Sequence, residues 1–272
     1  MKRKKDDIRI IHEDPATIVV DKPAGMLTVP DRFSSSSPNL LSWLREKRPD
    51  AMVMLVHRLD RDASGILLFA KGRDAQRFYS GEFAHRRVGK VYIALVHGVP
   101  RKLSGTVRTA LRQHPRVKGR MVTAASGRRG KPASTRYEVI ERFSAYTLVR
   151  AMPREGYHHQ VRVHLASAGA PVVCDDHYGN GEPLLLSAIK RGYVQGRHTE
   201  IPLMDRLALH AACLRIAGFP DGEVRTFAAD LPRDFELTLR NLYRYATGRP
   251  AAVARAALET LRYRLTEEPG SE

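Results

Sequence analysis

The stretch MLVHRLDRDASGILLFAKG, Met54–Gly72, decides how the rest of the chain is read. Two apolar runs flank a charged knot made of Arg58, Leu59, Asp60, Arg61 and Asp62. The second run, GILLFAK, has the length and continuity of a strand buried on both faces. A salt-bridged surface turn is the plain reading of the knot. The sharper reading is a carboxylate that must stay ionised in a pocket. Burial alone raises an aspartate pKa, so such a group needs a cationic or hydrogen-bonding partner. Arginine matches a carboxylate in both charge and geometry. If 58–62 is extended, Arg58, Asp60 and Asp62 share one face, and Leu59 and Arg61 take the other.

Outward from the knot, helical and strand patterns alternate. TIVV, before the turn residues DKPAG, reads as a strand. Ser37 as N-cap and Pro38 at the first helical position open a helix with Leu40, Leu41 and Leu44 on one face. Asp74 reads as the N-cap of a second helix, with Ala75, Phe78, Tyr79 and Phe83 as its inner stripe. KVYIALVHG, STRYEVIERF, AYTLVRAMP and LALHAACLRI read as strands. HHQVRVHLASAGAP turns helical, with Val161, Leu165 and Ala168 on one face and Gly169 and Pro171 as the stop. That pattern sets Arg162 on a polar face beside His158 or His159. Residues 112–131 read as a long basic hairpin or loop, and 232–250 and 250–265 as two helices. The interleaving predicts an α+β domain over 11–247, between a basic tail at 1–10 and a helical extension at 248–272.

The charge balance points to the partner. Among 272 residues, 46 Lys and Arg face 29 Asp and Glu, a formal net charge of +17. Fourteen of the basic residues lie between Glu82 and Glu138, a tract with no acid in it. Such a field suits a polyanion, and binding through it should weaken steeply with salt. No apolar run approaches a membrane span, the tract holds no basic amphipathic helix, and MKRKKDD leads into no signal segment, so no membrane partner is expected. Cys174 and Cys213 form no CxxC, which fits a reduced, cytoplasmic protein without a disulfide framework. His158, His159, His164 and His177 cluster in sequence, but His159 and His164 are not spaced to share a helical face, so no metal is expected. P-loop, GxGxxG, HExxH and GxSxG motifs are absent, and no cofactor is expected.

At this point the residues carry a resemblance. HRLDRDASGILLFAK resembles the HRLD-x-x-[ST]-SG-L-L-L-x-AK signature of the RluA family of pseudouridine synthases. VVDKPAGMLTVP is similar to that family's KPxG segment, KVYIALVHG to its K-x-Y-x-A segment, and GKPASTRYEVIERF to its middle strand. GYHHQVRVHLASAGAPVVCDDHYG resembles the GRTHQIRVHL…GDxxYG block, and RLALHAACL the RLxLHA block. The order is right, from about Ile11 to about Leu239. The resemblance implies a curved, mostly antiparallel mixed sheet with a central cleft, flanked by helices and loops. It implies Asp60 as the essential aspartate, Arg162 as the arginine that pairs with it, and Tyr92 as the ring that stacks on the target uracil. Arg58 would enter the stack in place of the flipped nucleotide. Lys22, His159 and Gln160 complete the expected substrate-binding set.

The implied reaction breaks the N1–C1′ bond of uridine, turns the uracil and rejoins it through C5. It needs no cofactor, metal or energy source. The base must leave its stack, at a cost of about a few kcal/mol that phosphate contacts offset. Ribosomal RNA and tRNA are both open as substrates, and a monomer is expected. Three departures stand out. Ala63 replaces a Thr or Ser, Tyr157 and His158 replace the Arg and Thr of GRTHQ, and the N-terminus is too short for an S4-type RNA-binding domain. Tyr157 and His158 keep alive an alternative reading, a catalytically silent RNA-binding protein using the same basic cleft. A metal-dependent nuclease is a third reading, and it predicts chelator-sensitive RNA cleavage.

Overall fold

The structure, a computed structural model, describes residues 8–30, 37–124 and 130–247. The extension expected at 248–272, most of the basic tail and part of the 112–131 segment lie outside the described residues. The elements run β1 (Arg9–Glu13), β2 (Thr17–Lys22), α1 (Leu40–Lys47), β3 (Val53–Leu55), β4 (Ser64–Lys71) and α2 (Arg73–Ala84). Then follow β5 (Gly89–His97), β6 (Ser104–Gln113), β7 (Met121–Thr123), β8 (Lys131–Arg142), β9 (Tyr146–Pro153) and α3 (Gln160–Ser167). The series closes with β10 (Leu209–Ala217), β11 (Val224–Ala228) and α4 (Arg233–Ala246). No helix among the described residues is long and apolar enough to cross a membrane.

The described residues fall into two compact units, one from 8–90 and 210–230 and the other from 91–209 and 231–247. In the first, β4 is the central strand, buried from Ser64 to Ala70. That burial explains why it reads as an unbroken apolar run. β2 pairs along one edge of β4, antiparallel, from Thr17↔Ala70 to Lys22↔Gly65. The other edge is shared. β3 takes its far end at Val53↔Lys71, and β10 takes its near end in parallel, at His210↔Ser64 and Ala211↔Gly65. The parallel pair comes so close that a Cβ on Gly65, whose φ is +112°, would lie 2.2 Å from the Ala211 carbonyl oxygen. Helix α2 covers one face with Ala75 and Tyr79 against Val19, Ile66, Leu68 and Leu214. Glu13 ties the edge strand to α1 and β4 through Arg48 and Lys71, and these partners hold its carboxyl down at a pKa of about 2.

The second unit is an antiparallel sheet in the order β5-β9-β8-β6-β7. β9 is almost wholly buried, whereas β8 alternates, with Ala133, Thr135 and Tyr137 inside and Arg136 outside. Helix α4 is anchored by a two-pronged Arg206–Asp234 pair at 2.9 and 2.8 Å and by Phe143 edge-on to Tyr243.

Two helix starts differ from the sequence reading. The first helix begins at Leu40, where the Asn39 side chain accepts the Ser42 N–H at 2.9 Å, so Asn39 is the cap and Ser37 and Pro38 lie before it. The second begins at Arg73 behind Gly72, and Asp74 sits inside the first turn. Strands β1, β6 and β11 carry weak or mixed patterns and were not separately legible. The 112–131 segment forms a hairpin as far as it is described, with Leu111↔Thr123 to Gln113↔Met121 paired.

Candidate active site

Asp60 lies in the run from 56 to 63 that connects β3 to β4. Because β3 ends beside Phe69 while β4 starts at Ser64, this run must travel back along the strand. His57 guides it. The ring stacks on Phe83 at 4.4 Å, and Nε2 accepts the Leu68 N–H at 3.1 Å just past the end of the β3 ladder. Burial, with Lys90 nearby, pushes the His57 pKa down to about 3, so the ring is a neutral structural acceptor.

The backbone on both sides of Asp60 is clamped to the segment KPAGMLT. Thr28 Oγ1 donates to the Leu59 carbonyl at 3.1 Å and accepts the Leu59 N–H at 3.3 Å. The Arg61 carbonyl accepts both Lys22 Nζ and Gly25 N, each at 2.9 Å. Leu59 is buried, Arg58 and Arg61 are exposed, and Asp60 is half-buried between them. The strict one-face-other-face alternation expected for 58–62 therefore does not hold, because 61–62 is a turn. Arg61 and Asp62 form a surface pair at 3.1 Å, so the salt-bridged-turn reading applies to those two residues.

Lys22 corrects an expectation. Its side chain is wholly buried, and Nζ donates to the carbonyls of Pro23, Met26 and Arg61 at 2.8–2.9 Å. Three ammonium protons meet three carbonyls. Lys22 is thus a strut inside the loop rather than a surface phosphate contact.

The second unit holds the other expected residues. Tyr92 is half-buried on β5 opposite Ala151. Arg162, the third residue of α3, is buried rather than on an open polar face, since Gln160 to Leu165 are all buried. Its Nε and Nη2 donate to Oδ2 and Oδ1 of Asp175, each at 2.7 Å, and Nη2 also reaches Asp176 at 3.3 Å. Asp175 in turn accepts the N–H groups of His177 and Tyr178 at 3.0 and 3.1 Å. The bond of Asp175 and Asp176 to Arg162 is absent from the sequence reading. Two carboxylates thirteen and fourteen residues beyond a buried-helix arginine were the available signal.

Gln160 also departs from expectation. It is buried, its Oε1 accepts the Tyr157 N–H, and its Nε2 donates to Ser134 O and Glu155 Oε2, each at 3.1 Å. Its amide is committed to shaping the turn before α3. His159 sits at the N-cap with a left-handed φ of 54°, and its Nδ1 is 2.9 Å from the Tyr178 hydroxyl. The variant pair has defined places too. Tyr157 packs with Leu111, Ala133 and Val163 under Lys131, and His158 Nε2 is 3.0 Å from the Gly119 carbonyl.

The family model for RNA pseudouridylate synthase matches residues 16–167. The chain is 36% identical over 235 residues to ribosomal large subunit pseudouridine synthase C of Escherichia coli K12, across 86% of this chain and 69% of that one. It is 36% identical over 244 residues to an uncharacterized RNA pseudouridine synthase of Chlorobaculum parvum, across 86% and 74%. Among solved structures, human RNA pseudouridylate synthase domain containing 4 superposes with a TM-score of 0.66 at 27% identity, covering 86% of this chain and 92% of that one. Human RNA pseudouridylate synthase domain containing 1 shares the fold at a TM-score of 0.67. With the HRLD loop, its KPAG clamp and the Arg162 helix all inside or beside the matched region, the chain belongs to the RNA pseudouridylate synthase family, whose members isomerise uridine to pseudouridine.

Proposed function

We propose that the chain isomerises a uridine of large-subunit ribosomal RNA, with Asp60 as the essential carboxylate. Arg162 and Tyr92 serve the same uridine, and Arg58 and His159 face the RNA. The observation that carries the reading is the clamp. The residues on both sides of Asp60 are fixed through their backbones, Leu59 by Thr28 and Arg61 by Lys22 and Gly25, while Asp60 itself stays half-exposed. A reacting carboxylate needs this combination of a rigid backbone and an accessible head group. The ribosomal substrate follows from the named activity of the E. coli relative. A cytoplasmic site of action and a monomeric enzyme complete the proposal.

The fourteen basic residues between Glu82 and Glu138 supply phosphate contacts to offset base flipping. The test is nucleotide-resolution pseudouridine mapping of cellular RNA, comparing cells that carry the chain with cells that carry Asp60→Asn. A large-subunit site modified only with Asp60 present is the expected result. An identical pseudouridine map in both strains would overturn the proposal, and a dependent site in tRNA would move the substrate.

A further inference from the structure

Several observations meet at Tyr178, a residue with no role assigned so far. Its hydroxyl accepts the Met121 N–H at 2.8 Å and shares a 2.9 Å hydrogen bond with His159 Nδ1. Its ring lies 5.2 Å from the Arg162 guanidinium carbon and 5.6 Å from that of Arg120. Its own N–H is held by Asp175, the carboxylate that grips Arg162. Met121 opens β7, the returning strand of the basic hairpin, and Arg120 precedes it. A second tie runs from His158, whose Nε2 donates to the Gly119 carbonyl in the hairpin turn at 3.0 Å while its ring stacks on His159 at 3.7 Å.

A two-strand hairpin at a sheet edge is marginal by itself. This one carries Arg112, Arg116, Lys118 and Arg120 and would repel itself if left undocked. The docking point is also unusual. His159 holds a left-handed φ of 54° immediately before α3, a conformation that costs a non-glycine residue about 1 kcal/mol and persists only where surroundings over-determine it. The Tyr178 hydroxyl and the His158 ring provide that determination.

We propose that Tyr178 is a positioning residue for Arg162, and that with His158 it docks the basic hairpin onto the entry of α3. RNA phosphates along the hairpin and the Arg162 guanidinium are then held in one fixed spatial relationship. His158 stands where the family has a threonine, a side chain without an imidazole's reach, so this part of the tie belongs to this chain. The inference rests on the pseudouridine-synthase reading.

The experiment is single-turnover tritium release from a large-subunit rRNA transcript labelled with 5-tritiated uridine, with enzyme in excess. Tyr178→Phe keeps the ring under Arg162 and removes only the hydroxyl. The expected result is a saturating rate constant lowered on the order of tenfold, the equivalent of one hydrogen bond, with half-saturation nearly unmoved because the phosphate contacts remain. His158→Ala should show a smaller loss of the same kind, and His158→Gln, which retains a donor at that reach, should restore it. A partly unfolded variant lowers the active fraction rather than this rate constant, so a merely structural role is distinguishable. A Tyr178→Phe rate constant equal to wild type, or a loss confined to half-saturation, overturns the proposal. Hydrogen exchange gives a readout independent of activity. The Met121 amide should exchange faster in Tyr178→Phe, and unchanged exchange overturns the docking. No tritium release by the wild-type chain from this transcript or from tRNA labelled in the same way would sink the synthase reading and the Arg162 role with it, leaving exchange to decide the docking alone.

Discussion

Arg162 and Asp175 are joined by two hydrogen bonds of 2.7 Å, with the carboxylate wholly buried. Such a pair fixes a guanidinium in orientation as well as position. Asp175→Asn leaves a buried cation half-compensated and should destabilise the fold by about 3 kcal/mol or more. Asp176→Asn, at an exposed carboxylate 3.3 Å from the same guanidinium, should cost less than about 1 kcal/mol. Urea denaturation of the two variants checks the contrast, and equal losses would show that the Asp175 pair is not what holds Arg162.

Lys22→Met should be more damaging than a turn-lysine substitution. It strands the carbonyls of Pro23, Met26 and Arg61 without their buried donor, a loss of roughly 3 kcal/mol. Because one of those carbonyls adjoins Asp60, pseudouridine formation by the folded fraction should fall as well. Thr28→Val, which keeps the shape and removes the hydroxyl that holds Leu59, should act in the same direction and more weakly. Tritium release normalised to folded protein is the measurement.

His57 makes stability pH-dependent in a defined direction. Its folded pKa is depressed to about 3 from an ordinary 6.5, so between those values the unfolded chain binds a proton that the folded chain refuses. Its contribution is therefore intact above about pH 6.5 and declines as pH falls toward 3. Burial depresses His97 and His164 as well, and both add in the same sense. His57→Gln keeps an acceptor for the Leu68 N–H. It should flatten the acid limb by about 1.4 kcal/mol per pH unit, read from denaturation midpoints stepped across that window. An unchanged slope would mean that the ring titrates normally in the folded protein.

Gly65→Ala should be among the costliest single-methyl additions in the chain. The new carbon would fall 2.2 Å from the Ala211 oxygen at a φ of +112°, so β10 must move off β4. A loss of about 4 kcal/mol or more is expected, at the diagnostic end of single substitutions. Gly25→Ala, with nothing near its Cβ but φ at +81°, should cost only about 1–2 kcal/mol. Thermal unfolding distinguishes the two.

Much of this arrangement is legible in the residues, and the gaps have physical causes. GILLFAK reads as a central strand because burial on both faces removes any alternation. The HRLD loop and its order relative to KPAG and HQVRVH are visible in the motifs. That Lys22 points inward is not, because the choice depends on three carbonyls converging from 23, 26 and 61. Gln160 likewise reads as a polar residue free to meet a substrate until Ser134 and Glu155 close around it. Helix α3 reads as amphipathic, yet it is buried around its first turns, where Arg162 is neutralised by Asp175 and His164 is hydrogen-bonded to Thr135. Buried polar partners come from distant segments, and local periodicity cannot register them.

The parallel pairing of β4 with β10 has a consequence for synthesis on the ribosome. The Asp60 loop emerges early, but the strand that closes the edge of β4 beside it is translated some 146 residues after Ser64. The β6–β7 and β8–β9 ladders join chain neighbours and can form while synthesis continues. The nascent chain therefore carries Asp60 on an unfinished sheet until His210 and Ala211 have cleared the exit tunnel, and a truncated product ending before β10 would leave the Ser64–Gly65 end of β4 without its parallel partner.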